Sequence, residues 1–163
     1  MILGDEQATF DLGQRLARVL RRGDVVALSG PLGVGKTSLA RGILHGLGHE
    51  GEVPSPSFAI VQPYEDLDLP AWHVDLFRVA DAGELDELGL ESAADGILLV
   101  EWPEKAGPGA WAQALGLTLA FEEGGARRLT GPLGRARVTG RGQPEGAGAT
   151  SQSIDPPADT VFD

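Results

Sequence analysis

The chain has 163 residues with a 42% hydrophobic content, enough for one domain with a substantial core. A count of 13 basic against 24 acidic residues leaves a net charge of −11, which argues against stand-alone binding of RNA or DNA. Cysteine is absent, so disulfides and thiolate metal sites are excluded, and no apolar run approaches the length of a membrane span.

The first residues, Met1 to Glu6, lack the basic start and apolar centre of a signal peptide, so a cytoplasmic protein is expected. From Gln7 to Arg22, apolar Phe10, Leu12, Leu16, Ala17, Val19 and Leu20 recur at helical spacing, with Arg15, Arg18, Arg21 and Arg22 on the wet side. Gly23-Asp24 ends that helix and feeds a β-prone run, Val25 to Leu28. Gly30 to Thr37, Gly-Pro-Leu-Gly-Val-Gly-Lys-Thr, then fits the phosphate-loop pattern of Gly, four free positions, Gly, Lys and Ser or Thr. Ser38 to Leu47 reads as the following helix. Strand, glycine loop and helix in that order aim main-chain N–H groups and a helix N-terminus at one anion. The candidate nucleotide contacts are Gly30, Leu32, Gly33, Val34, Gly35, Lys36, Thr37 and Ser38. Within them Lys36 would reach the β- and γ-phosphates, and the Thr37 hydroxyl would hold Mg²⁺. Gly33 and Gly35 let backbone approach phosphate without a Cβ.

Beyond the glycines at 46, 48 and 51, the prolines of Val53-Pro54-Ser55-Pro56-Ser57 hold an extended loop before a strand expected over Phe58 to Val61. Ser57 has two readings, a proline-rich turn or a switch hydroxyl that senses Mg²⁺ or the γ-phosphate. Ala71 to Phe77 reads as a strand with Trp72, Val74 and Leu76 on one face and His73, Asp75 and Phe77 on the other. Asp75 inside such a strand is costly unless paired or near a metal, so it either supports Mg²⁺ and polarises water or pairs with Arg78 at a sheet edge. His73 reads as a packing or hydrogen-bonding histidine, since no second ligand lies at a telling spacing.

Asp81 to Leu90 has helical spacing, with Leu85, Leu88 and Leu90 inward and Glu84, Asp86, Glu87 and Glu91 outward. Ile97-Leu98-Leu99-Val100-Glu101 is a continuous apolar run closed by an acid, the pattern of a buried parallel strand with a carboxylate at its C-terminal end. In phosphate-loop enzymes such an acid orders Mg²⁺ and its waters. Trp102 beside it is either core or a partner contact. Leu115 to Phe121 and Ala126 to Leu129 suggest a closing strand pair, and Arg135 to Thr139 a short further strand. The domain is expected to occupy residues 1–139, and the Gly/Pro-rich tail, 140–163, to be disordered.

These motifs, in this order, resemble those of the TsaE family, also called YjeE. The resemblance rests on the loop at Gly30 to Thr37, Ser-Pro-Ser-Phe at Ser55 to Phe58, and His-Val-Asp-Leu-Phe-Arg at His73 to Arg78. Glu-Leu-Gly-Leu at Glu87 to Leu90 and Glu-Trp-Pro-Glu at Glu101 to Glu104 complete it. It implies a phosphate-loop, three-layer α/β/α fold with a mainly parallel sheet and antiparallel C-terminal strands. It further implies an ATP- and Mg²⁺-using ATPase, weak alone, that acts with TsaB and TsaD in forming threonylcarbamoyladenosine at tRNA adenosine 37. Such a protein meets tRNA only through the complex and meets no membrane. Lys36, Asp75 and Glu101 are the expected catalytic residues, Thr37 and Glu101 the expected metal ligands with Ser57 and Asp75 as further candidates, and Trp102 and Arg78 partner or support residues. The chain departs from the family at Pro31, where Asp is usual, at Ser57, usually Thr, and at Phe77, usually Tyr. The alternative readings are a small-molecule kinase, with Arg127, Arg128 or Arg135 in a lid, and a non-catalytic nucleotide-controlled docking module.

Overall fold

The protein is described from a computed structural model covering residues 1–58 and 60–133. The strand expected over Arg135 to Thr139 and the tail from Gly140 lie outside the described residues. In chain order the elements are β1 (Ile2–Leu3), α1 (Glu6–Ala17), β2 (Val25–Ser29), α2 (Lys36–Gly46), β3 (Val61–Tyr64) and β4 (Ala71–Asp75). They are followed by β5 (Ile97–Glu101), β6 (Leu115–Phe121) and β7 (Arg127–Thr130).

Among the described residues all seven strands form one sheet in the order β1-β7-β6-β2-β5-β4-β3. β6, β2, β5 and β4 run parallel, while β7, β1 and β3 pair antiparallel at the flanks. The mainly parallel sheet with antiparallel C-terminal strands is therefore as expected. β5 is buried along its whole length because both of its faces are covered. Ile97 and Leu99 face a core built with Leu12, Leu16, Leu39 and Ile43 of α1 and α2. Leu98 and Val100 face the opposite core, with Trp72, Val74 and Leu76.

α1 begins where the Asp5 carboxylate accepts the Ala8 N–H at 2.7 Å, satisfying one of the free donors of the first turn. It ends at Ala17, five residues short of the expected Arg22. The second face of the sheet is covered by 3₁₀ turns and not by the α-helix read over Asp81 to Leu90. Ala82–Leu88 and Leu90–Asp95 are separate turns, divided by Gly89 at φ 64°. Leu85, Leu88 and Leu90 are only partly buried, so this segment lacks the packed apolar stripe that lengthens an α-helix. The strand expected from Phe58 begins instead at Val61. Ile60 sits at φ 64°, and its N–H closes a turn onto the Pro56 carbonyl at 2.7 Å, which keeps the preceding residues out of the ladder.

Candidate active site

The phosphate loop leaves β2 at the C-terminal edge of the parallel strands, beside β5, and delivers its last residues into α2. Gly30 (φ 137°) crosses close under β6, where a Cβ would drive into the Leu119 carbonyl oxygen. Gly35 (φ 114°) turns the loop left-handed immediately before α2. Leu32 is exposed at the rim and Val34 is buried, its carbonyl accepting the Arg127 Nε–H at 3.1 Å.

Lys36 is only 4% exposed although it is a lysine, and its buried ammonium is partnered. Nζ donates to the Gly30 and Pro31 carbonyls at 2.7 and 2.9 Å and lies 4.1 Å from the centroid of the Trp102 ring. Burial pushes its pKa below the ordinary lysine value, and the negative charges of Glu101, Asp75 and Glu104 oppose that shift. Trp102 is thus half-buried as a lid over Lys36, its ring 5.0 Å from that of Phe77 and tilted 45° to it, and its backbone at φ 59° donates its N–H to the Leu28 carbonyl.

The two strand-borne acids meet because β4 and β5 run parallel with Asp75 opposite Glu101 in register. Glu101 is buried, and its carboxylate accepts the Thr37 hydroxyl at 2.8 Å and lies 2.8 Å from the His73 Nε2. Asp75 ends its strand: its carboxylate accepts the Phe77 N–H at 2.9 Å, and the Ser57 hydroxyl approaches its other oxygen at 3.4 Å. β4 lies inside the sheet, so Asp75 is not on an edge strand, and the Arg78 guanidinium lies 4.4 Å over the Phe58 ring. Ser57 is further linked to Ser55 at 2.7 Å. Ser38 donates to Glu6 of α1 at 2.8 Å, and Glu6 also meets Arg41 at 3.8 Å.

These groups surround one cavity of about 190 Å³ whose walls include Lys36, Thr37, Ser57, Asp75, Glu101 and Trp102. Arg78 does not line it. Of the arginines weighed as a kinase lid, Arg128 pairs with Glu122 and Arg127 is bonded to the Val34 and Gly125 carbonyls, while Arg135 lies outside the described residues. Among the described residues no group of three or more His, Asp or Glu could hold a metal by itself. A hydroxyl and two carboxylates facing an anion cradle form the sparse donor set that suits Mg²⁺, an ion that completes its shell with phosphate and water. Three residues at the site escaped the sequence reading in these roles: His73 as the partner of Glu101, Glu6 behind Ser38, and Arg127 behind the loop. Strand register alone brings His73 to Glu101, and register is not written in local pattern.

No helix among the described residues is long and apolar enough to cross a membrane. Residues 3–129 match the family model described as "Threonylcarbamoyl adenosine biosynthesis protein TsaE". Among its relatives, the tRNA threonylcarbamoyladenosine biosynthesis protein TsaE of Haemophilus influenzae is 39% identical over 108 residues, 62% of this chain and 68% of that protein. That of Streptomyces coelicolor is 46% identical over 98 residues, 58% of this chain and 66% of that protein. The matched region therefore spans about two thirds of each relative's length. The crystal structure of Bacillus subtilis YdiB superposes with a TM-score of 0.67 at 28% identity, covering 80% of this chain and 82% of that one. Matched by the family model from residue 3 to residue 129 and by these relatives over about two thirds of their length, the chain belongs to the TsaE family.

Proposed function

We propose that this protein is a Mg²⁺-dependent ATPase that supports threonylcarbamoylation of tRNA adenosine 37 in the cytoplasm, acting with TsaB and TsaD and not transferring the group itself. The observation that carries the reading is the hydrogen bond from Thr37, the last residue of the phosphate loop, to the buried carboxylate of Glu101. It joins the candidate phosphate cradle to the buried acid that ends β5, the strand beside the loop's own β2. Bound Mg²⁺ would neutralise charge on the β- and γ-phosphates.

The chain's own residues then divide the work. Loop amides from Gly33 to Thr37 receive phosphate oxygens. Lys36 exchanges its two loop carbonyls for phosphate, a stronger charge-assisted partner. Thr37 and Glu101 would hold the metal. Asp75, already linked to Ser57, orients water and couples the Ser55 to Ser57 loop to the occupancy of the γ-phosphate subsite. The acidic composition suits a subunit that reaches tRNA through a complex.

The test is phosphate release from ATP with and without the TsaB–TsaD pair. Stimulation by the pair is the expected result. Lys36→Ala should abolish binding or turnover, and Glu101→Ala should spare binding more than turnover. Normal hydrolysis by both variants in the presence of the partners would remove the assignment.

A further inference from the structure

We infer that His73 is a positioning residue that holds the Glu101 carboxylate in its working orientation. The inference rests on the reading of Glu101 as the acid of the hydrolytic site. His73 lies two residues before Asp75 on β4, and Leu99, its register partner on β5, lies two residues before Glu101. His73 and Glu101 are thus diagonal neighbours on one face of the sheet, and a ring at position 73 has the reach to meet an acid at position 101. Both side chains are withdrawn from water, His73 completely and Glu101 to 2% exposure. The contact measures 2.8 Å, from Nε2 to Oε1.

A carboxylate that holds a metal position only accepts hydrogen bonds, so on that reading of Glu101 the 2.8 Å contact places the proton on Nε2. The other ring nitrogen, Nδ1, is buried with no partner. As a bare acceptor it costs the loss of one solvating bond; a proton there would be an unsatisfied buried donor, which proteins rarely tolerate. The surroundings therefore select one tautomer, with Nε2–H aimed at Glu101 and Nδ1 silent. Glu101 has one further side-chain donor, the Thr37 hydroxyl, which shares Oε1 and also lies 3.1 Å from Oε2. When Thr37 turns to a ligand, His73 remains to keep Oε1 fixed, leaving Oε2 to face the cavity. Without it the carboxylate would be free to rotate about its terminal torsion, which has broad energy wells.

The experiment compares wild type, His73→Gln, His73→Leu and Glu101→Ala. Gln keeps an N–H at the ε position; Leu keeps bulk without a donor. In the full chain, nitrogen-15 NMR of the histidines should show His73 protonated at Nε2 and bare at Nδ1, with that signal moving in Glu101→Ala. In the presence of TsaB and TsaD, His73→Leu should lower kcat for ATP by about tenfold with little change in KM, the range seen when the partner of a metal-site ligand is removed. His73→Gln should recover most of that loss. A proton on Nδ1, an unchanged kcat in His73→Leu, or a His73→Gln as impaired as His73→Leu would each overturn the inference. Should His73→Leu fail to fold, the NMR result and the His73→Gln rate still decide it. If Glu101→Ala turns over normally, the hydrolytic reading of Glu101 falls and this inference with it. If Glu101→Ala is inactive while His73→Leu is not, the role of His73 alone is refuted.

Discussion

Replacing Thr37 with Val removes one hydroxyl and leaves the shape of the side chain almost unchanged. In the structure that hydroxyl is one of the two side-chain donors on the buried Glu101 carboxylate, at 2.8 Å from one oxygen and 3.1 Å from the other. A hydrogen bond to a charged group contributes about 1.5–3 kcal/mol. For a chain of this size about 1 kcal/mol moves Tm by about 2–4 °C, so Thr37→Val should melt about 3–12 °C below wild type without nucleotide. If the same hydroxyl also holds Mg²⁺, losing that energy in the transition state lowers kcat by about ten- to a hundredfold. Thr37→Ser, which keeps the oxygen, should recover most of both. Calorimetry measures the first effect, and phosphate release titrated with Mg²⁺ beside TsaB and TsaD measures the second. A Val variant with unchanged Tm would show that the contact to Glu101 contributes nothing to the fold. Unchanged Mg²⁺-dependent turnover would refute the metal role of Thr37.

Further outcomes follow from other parts of the fold. Gly30→Ala places a Cβ against the Leu119 carbonyl at a left-handed φ and should lower stability by about 2–6 kcal/mol, seen as an earlier denaturant midpoint. Trp102→Ala strips the aromatic cover from Lys36 and the contact with Phe77, and should destabilise the protein by about 1–3 kcal/mol and weaken nucleotide binding measured by calorimetric titration. Asp24 is buried away from the site, and desolvation raises its pKa above the ordinary 3.8 despite its bond from the Arg21 N–H. Its folded form holds the proton more tightly than the unfolded chain, so its ionisation costs stability as pH rises through that raised value. Asp24→Asn, which keeps an acceptor for Arg21, should therefore melt higher than wild type at pH 7, with the gap closing as pH falls towards 3.8. A gap independent of pH would exclude that cause.

The centre of the fold was legible because its signals are strong and local. The apolar run of Ile97 to Val100, the glycine loop and the helix after it lie where expected, and α1 starts where expected but stops at Ala17. The elements that came out differently are those whose form depends on tertiary neighbours. Asp81 to Leu90 has helical spacing, yet its leucines find only a shallow apolar surface and Gly89 interrupts it, so two tight turns replace one helix. Phe58 looked like the start of a strand, but the turn from Pro56 to Ile60 leaves it 85% exposed under Arg78. At the site, motif order was enough to name Lys36, Thr37, Asp75 and Glu101, which line one cavity. It could not pair His73 with Glu101, because that contact follows from the alignment of two strands more than twenty residues apart in the chain.

The two flanks of the sheet carry one more consequence. β1 is two residues long, and β3 is four residues long with Pro63 at its third position, where no N–H is available for a ladder. Neither border offers a run of free main-chain donors and acceptors long enough to recruit a foreign strand. Among the described residues, association by sheet extension is thus disfavoured at either end, which leaves the side-chain surface as the face for any partner. The specificity of such a contact can then be altered one surface residue at a time without disturbing the ladder that carries Asp75 and Glu101.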